Sequence, residues 1–207
     1  MATTATPYGL KAVNHIGGTP YAGSTRMFPI GSGYGTNVYY GSIVAIESDG
    51  AAAGTIGIVT TTGDAGAGAV FPAGVVGVFV GCTYTDPNLG TVVFKQNWPT
   101  GTVAADAQAY VVDDPDVVFM GQADGIVTAA DLGQNCFLSA IQATGTGDTT
   151  TGNSNTALDA ATAVLATHPF RIVGFVDSPT STVGDAFTDL LIKFNGIYHS
   201  YNNPLGI

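Results

Sequence analysis

Short apolar runs separated by turn-forming residues set the main constraint on what this chain can fold into. Gly, Pro, Asn and Asp punctuate the sequence about every 8 to 12 residues, and the apolar residues between them alternate or run continuously. This pattern is typical of β-strands. The predicted strands are Asn37–Ile46, Thr55–Thr60, Val75–Thr83, Thr91–Phe94, Gln108–Val112, Val117–Gln122, Asn135–Ile141, Arg171–Asp177 and Leu190–Asn195.

Helix-forming residues are scarce, which strengthens the all-β prediction. The chain contains one Glu, three Lys and two Arg among 207 residues, so surface helices have almost no charged residues to draw on. Leu158–Leu165 is the one helix candidate, and a loop is an equal alternative there. We therefore predict an all-β chain with a single β-sandwich or barrel-like domain of the β-tulip or jelly-roll type.

The distribution of Gly, Pro and aromatic residues predicts three regions along the chain. Residues 1–35 are rich in Gly and Pro and lack periodicity, so we predict an extended N-terminal arm. Residues 36–195 carry the strands and form a single all-β domain. Residues 196–207 return to aromatic and apolar side chains, which predicts a docked C-terminal tail, either on its own domain or on a neighbouring chain.

The charge balance argues against nucleic-acid binding. Fifteen acidic and five basic residues leave a formal charge of −10, which would repel a phosphate backbone. The sequence begins without the apolar segment of a signal peptide, and its apolar runs are too short to span a bilayer. These features predict a soluble protein made in a cytoplasm, without membrane attachment.

Only 10% of the residues are charged, well below the usual quarter, and the mean hydropathy is positive at +0.30. Thr, Ser, Asn and Gly supply most of the polar groups, and these can be buried at an interface without the penalty of burying an ion. The composition favours a subunit packed against neighbours. A rigid β protein that is merely low in charge is the alternative.

Motifs for catalysis or cofactor binding are absent from the sequence. There is no GxSxG elbow for a Ser nucleophile, and the GSGYG run at Gly31–Gly35 has neither the spacing of a dinucleotide fingerprint nor the GK[ST] of a P-loop. Cys82 and Cys136 stand alone and are expected to be buried small hydrophobes. We therefore predict no enzymatic activity and no cofactor.

Metal binding is also not predicted. His15, His168 and His199 are isolated in separate segments, without the spacing of zinc ligands. Asp113, Asp114 and Asp116 cluster in the run DDPDVVF, where oxygen ligands for Ca²⁺ are conceivable. The run lacks the rest of an EF-hand loop, and Pro115 favours a solvated Asp-Pro turn between two strands.

The aromatic residues are concentrated near the two ends of the chain, with one tryptophan in the middle. Tyr and Trp suit interfaces because they bury a large area while keeping one polar tip. Packing beneath a loop and carbohydrate stacking are the alternatives for the tryptophan. The predicted interface residues are Tyr8, Tyr21, Phe28, Tyr34, Trp98, Tyr198 and Tyr201.

Six blocks of the sequence carry a family resemblance: FPIGSGYGTNVYYGSIVAI, VVGVFVGCTYTDPNLGTVVF, AYVVDDPDVVF, TTTGNSNTALD, HPFRIVGFVDS and GDAFTDLLIKFN. They resemble small virion proteins of tailed phages, especially phages of cyanobacteria and marine bacteria. The spacing of GSIVAI and VGVFVG is also similar to the β-rich core of lambda-type head decoration proteins, although this chain is nearly twice as long.

The resemblance implies a structural role. Proteins of this kind cement the capsid: they bind the outer surface of the expanded head, often as trimers, and hold adjacent capsid subunits together. The implied partners are the major capsid protein and further copies of this chain, as a trimer or dimer, and the implied location is the outer surface of the virion. Another virion component, such as a tail, fibre-associated or minor capsid protein, is the closest alternative. The remaining alternatives for the function are a carbohydrate-binding β-sandwich and, last, a hydrolase.

Overall fold

Two antiparallel sheets built from eleven strands make up the described part of the computed structural model, which covers residues 4–47, 53–59, 74–139, 146–161 and 168–204. The strands are β1 Lys11–His15, β2 Arg26–Pro29, β3 Ile43–Ile46, β4 Ile56–Ile58, β5 Val75–Thr85, β6 Val92–Lys95, β7 Gln108–Val112, β8 Val117–Gln122, β9 Asn135–Cys136, β10 Phe170–Phe175 and β11 Asp189–Phe194. Among the described residues, a 3-10 turn spans Ala129–Asp131. The predicted all-β sandwich is confirmed.

Sheet A has five strands in the order β1-β8-β11-β10-β9, and sheet B has six, in the order β2-β7-β5-β3-β4 with β6 also paired to β5. The long strand β5 organises sheet B. It pairs with β7 on one side, while β3 and β6 lie one after the other along its opposite side. One edge of β5 is therefore shared by two strands, β3 and β6.

Two hydrophobic cores flank sheet B. The first core lies between the sheets, where Val78 and Val112 of sheet B meet Phe119, Ile192 and other residues of sheet A. The second core lies on the other face of sheet B and contains Val76, Phe79, Val111 and Trp98, with Ile30 and Val38 from connecting segments. β5 is buried on both faces as a result, which explains its almost unbroken apolar sequence.

The strand predictions agree with the structure over most of the chain. The observed bounds of β7 and β8 are those predicted, and β5, β6, β10 and β11 differ from the predictions by one or two residues at their ends. The strands predicted at Thr55–Thr60 and Asn135–Ile141 are shorter than expected, and their last residues, 60 and 140–141, lie outside the described residues. The helix candidate begins at Leu158, which instead forms isolated β-bridges with Ala123 and Leu138; residues 162–167 lie outside the described residues.

The N-terminal region differs from the expected arm. β1 pairs with β8 at the edge of sheet A, and β2 pairs with β7 at the edge of sheet B. Leu10 is 1% exposed in the first core and Ile30 is 4% exposed in the second. Gly- and Pro-rich connections surround these short strands, which is why the sequence pattern did not reveal them.

Removing residues 1–35 is expected to unfold the protein. The deletion removes the edge strands β1 and β2, one from each sheet. It also removes the buried side chains of Leu10 from the first core and Ile30 from the second. We expect far-ultraviolet circular dichroism and a melting curve to show loss of the cooperative transition. A truncated chain that melts cooperatively at the wild-type temperature would contradict the placement of β1 and β2.

Gly77→Ala is expected to destabilise the fold strongly, because a Cβ at Gly77 would lie 1.9 Å from the carbonyl oxygen of Val112 on the neighbouring strand. Relieving this overlap requires β5 and β7 to separate, and we expect the free energy of unfolding to fall by about 3 kcal/mol or more. This change in the free energy of unfolding can be measured by urea denaturation, monitored through the fluorescence of Trp98, the chain's single tryptophan.

Gly31→Ala is the matched control for this substitution. Its Cβ would lie 3.5 Å from the hydroxyl of Thr55, an ordinary contact distance. Equal loss of stability in the two variants would show that the close approach of β5 and β7 is not the cause.

Candidate interaction surface

The corner between the two sheets carries the acidic cluster noted in the sequence. Residues 113–116 connect β7 of sheet B to β8 of sheet A. Asp114 Oδ1 accepts a hydrogen bond from the backbone nitrogen of Asp116 at 2.8 Å, closing a tight turn. The predicted Asp-Pro turn between two strands is therefore present.

Each of the three aspartates at this corner contacts a different basic side chain. Arg26 Nε lies 3.0 Å from Asp113 Oδ2, and Lys193 Nζ lies 2.6 Å from Asp116 Oδ1. Lys193 lowers the pKa of Asp116. His15 Nδ1 lies 3.6 Å from Asp114 Oδ2. The carboxylates are directed to three separate strands, and within the described ranges no group of three or more His, Cys, Asp or Glu side chains is arranged to hold a metal ion.

The C-terminal segment lies against this corner. The backbone nitrogen of Val75 donates to Tyr198 O at 3.1 Å, and that of Ser200 donates to Val75 O at 2.8 Å, so the tail pairs with the start of β5. Tyr201 donates its hydroxyl hydrogen to Asp113 Oδ2 at 2.6 Å, and burial together with this contact raises the pKa of Tyr201 to about 12. The described part of the tail thus docks on its own domain.

His199 lies at the centre of this tail contact. Its side chain is 1% exposed, with its ring centroid 5.9 Å from that of Phe194 and 5.1 Å from that of Tyr201. Its Nδ1 accepts a hydrogen bond from the backbone nitrogen of Tyr201 at 3.3 Å. Burial lowers the pKa of His199, although Asp113 and Asp114 act in the opposite direction.

Trp98 does not lie on the surface. It is fully buried in the second core, packs edge-on against Tyr84 with ring centroids 5.3 Å apart, and donates from Nε1 to Tyr34 O at 3.4 Å. Its placement in the predicted interface is therefore wrong. Carbohydrate stacking on this ring is excluded for the same reason, and packing beneath a loop is the alternative that the structure supports.

Most of the other predicted interface residues are half-buried. The Tyr8 hydroxyl donates to Asp189 Oδ1 at 3.0 Å, and the Tyr34 hydroxyl accepts from the backbone nitrogen of Ile58 at 2.8 Å. The Tyr21 hydroxyl donates to the backbone oxygen of Ser24. Phe28 and Tyr198 pack partly against the cores, while Tyr201 is 45% exposed. The Arg26 guanidinium carbon lies 5.9 Å from the ring centroid of Phe28 and 5.2 Å from that of Tyr201, so the structure brings these two predicted interface residues close together.

A different set of apolar residues forms an exposed row across sheet B. Tyr110 shares a sheet face with Val112, but sheet A does not extend over it. Met27 on β2 lies directly opposite Tyr110, and Phe94 on β6 has its ring centroid 5.7 Å from that of Tyr110. Val92 is two residues before Phe94 on the same face. We call Met27, Val92, Phe94 and Tyr110 the open face.

The open face exposes a large apolar area. Met27 is 57% exposed, Phe94 67% and Val92 72%. Gly81 makes room for the Phe94 ring, because a Cβ at Gly81 would lie 2.9 Å from Phe94 Cζ. Sequence reasoning missed this surface: the alternation of Val92–Lys95 indicates a strand with two different faces, but it does not indicate which face another sheet covers.

Both cysteines and His168 lie in the interior of the protein. Cys82 and Cys136 are free and fully buried, as predicted, and burial raises the pKa of the Cys82 thiol to about 12 and also raises that of Cys136. Both thiols therefore stay protonated and are poor nucleophiles. His168 is buried, with Nδ1 3.5 Å from the backbone oxygen of Asn135.

Comparison with protein-family models, with curated proteins and with solved structures gives no match. In the described part of the chain, no helix has the length and apolar character needed to cross a membrane.

Acidification is expected to weaken the fold through His199. The unfolded chain binds a proton at this residue near pH 6.5, whereas the folded protein resists protonation, so stability is complete above pH 6.5 and is lost as the pH falls below it. We expect His199→Gln to melt with a smaller pH dependence between pH 7.5 and 5.5 than the wild type.

Phe194→Leu is the control for this measurement, since it disturbs the packing around His199 without removing a titratable group. It should keep the wild-type pH dependence of the melting temperature. If His199→Gln and the wild type lose stability in parallel, the buried neutral His199 is not the source of the effect.

Proposed function

We propose that this chain is a structural virion protein that binds the outer surface of a phage capsid and cements adjacent major capsid subunits. The open face is the observation that carries the proposal, and it is where we place the contact with the capsid. The sequence blocks that resemble tailed-phage virion proteins are the reason for proposing a phage capsid as the partner.

The energetic case rests on the exposed apolar side chains. Large contiguous apolar patches on a protein surface mark interaction sites, because water penalises their exposure. Burying a side chain such as Phe or Met contributes about 1.5–3 kcal/mol. Met27 on β2 and Phe94 and Val92 on β6 lie on one face of the same sheet, with β7 and β5 between the two strands, so a flat partner surface can cover them together without ordering a loop.

The charge distribution supports an external position on the shell. A formal charge of −10 disfavours contact with packaged DNA, whereas an apolar, low-charge face can be buried against another protein without a large desolvation penalty. Binding many subunits at once lets modest single contacts add up over the shell. Association of this chain as a trimer or dimer would multiply the contacts made by each bound unit.

The burial of Trp98 weighs against the carbohydrate-binding alternative, because that hypothesis depended on an exposed tryptophan. The open face does contain Tyr110 and Phe94, but their ring planes are tilted by 50° to each other, so the two rings do not form one flat platform for a sugar ring. These observations favour a protein partner.

The proposal predicts saturable binding to capsids. Purified protein mixed with expanded phage heads that lack it should bind in hundreds of copies per head and raise the temperature at which the heads break. The Met27→Ser/Phe94→Ser double variant should bind about tenfold more weakly or worse, because it loses apolar burial on two strands. Sedimentation of heads with bound protein measures both quantities.

The Ile126→Ser/Leu132→Ser double variant is the matched control. It removes two side chains that are 60% and 55% exposed outside the open face, and it should bind like the wild type. Absence of wild-type binding, or a handful of copies at one vertex, would contradict the cementing role. Equal weakening in the two double variants would contradict the placement of the contact on the open face.

A further inference from the structure

Two like charges lie directly opposite each other on the outer face of sheet A. Arg171 on β10 pairs in register with Lys193 on β11, and their neighbours Ile172 and Ile192 point into the first core. Like charges at directly opposite positions in a sheet destabilise the pair of strands. The chain has only five basic residues, so placing two of them here requires an explanation.

The two side chains differ in how their charges are balanced. Lys193 Nζ contacts Asp116 Oδ1 at 2.6 Å, which satisfies its charge. Arg171 Nε donates to the neutral Asn135 Oδ1 at 3.2 Å, and among the described residues no carboxylate lies within ion-pair distance of Arg171. Its guanidinium is exposed and keeps its terminal nitrogens available as donors.

Arg171 lines two adjoining clefts. A cleft of about 470 Å³ is lined by Ile16, Val173, Lys193 and Asn195 beside Arg171, and a second cleft of about 220 Å³ is lined by Asn135, Asn195 and Ile197 beside it. Ile16 is 52% exposed and Ile197 54% exposed. Of the two cations that line these clefts, Lys193 is paired with Asp116, whereas Arg171 is not paired with a carboxylate of the described residues and has the exposed side chains of Ile16 and Ile197 in its two clefts.

We propose that this cleft binds an acidic side chain from an extended segment of a partner protein. A carboxylate matches the planar donors of Arg171, and flanking aliphatic side chains of the segment would cover Ile16 and Ile197. The total charge of −10 disfavours a polyanion such as nucleic acid.

The cleft is a second site, separate from the open face. If the proposed capsid role holds, the segment belongs to a neighbouring subunit of the shell. The test below uses peptides without capsids, so its outcome does not depend on that role.

The test titrates ¹⁵N-labelled full-length protein with the capped peptide acetyl-Gly-Leu-Asp-Leu-Gly-amide and with the same peptide carrying Asn in place of Asp. The Asp peptide should bind and shift the amide signals of Ile16, Val173 and Ile197. The Asn peptide should bind about tenfold more weakly or worse, since it lacks the charge-assisted hydrogen bonds to Arg171.

Arg171→Gln should weaken Asp-peptide binding by about tenfold or more, whereas Lys95→Gln, which removes a cation from sheet B, should bind like the wild type. Without peptide, Arg171→Gln should melt at the wild-type temperature or up to about 4 °C higher, because it removes the opposed charges. A purely structural Arg171 would give a lower melting temperature.

Three results would overturn the inference. The first is equal binding of the Asp and Asn peptides, or no binding of either. The second is inorganic phosphate binding as tightly as the Asp peptide, which would indicate a general anion site. The third is self-association of the wild-type chain that Arg171→Gln abolishes while neither peptide binds, which would make the occupant a second copy.

Discussion

The double burial of β5 is the constraint on which the rest of the structure depends. Along its first half this strand packs against sheet A on one face and against the second core on the other. Gly77 allows the close approach of β5 to the backbone of β7 that this arrangement requires. Since the strand has no solvent-facing side there, its sequence has to be apolar throughout, and the strands beside it take their positions from it.

The second half of β5 explains the candidate surface. Beyond Gly81 the strand continues past the edge of sheet A, so Thr83 and Thr85 are only half-buried while Cys82 and Tyr84 remain in the second core. The strands paired with this half present Phe94 and Tyr110 on the uncovered side. The open face is therefore exposed because sheet B extends further than sheet A. Since it lies on β-strands and not on a loop, a partner protein could cover it without ordering a loop.

Much of the fold could be predicted from the sequence because its strands are bounded by turn residues. β7 and β8 were predicted with their observed bounds, since the Asp113–Asp116 turn separates two apolar runs. β1 and β2 were missed because they are short and lie among Gly and Pro residues. Their strand character comes from pairing with β8 and β7, which the local pattern does not encode.

The candidate site was harder to predict than the fold. Trp98 was predicted as an interface residue because of its residue type. Whether its side chain is exposed depends on the loop around it, and in the structure Trp98 lies in the second core together with Ala104 and Ala107. Met27 and Phe94 are ordinary residues of short strands, and their exposure depends on where sheet A ends. The side-chain contacts that tie the corner to β1, β2 and β11 join residues 77 to 99 positions apart in sequence, so spacing alone could not reveal them.

The central claim is that the open face is covered by a protein partner in the assembled particle. Hydroxyl-radical footprinting of the free protein and of the same protein bound to expanded heads tests it directly. The account predicts that oxidation of Met27 and Phe94 falls sharply on binding while that of Leu132 is unchanged. Unchanged oxidation of Met27 and Phe94 on heads carrying saturating protein would contradict it.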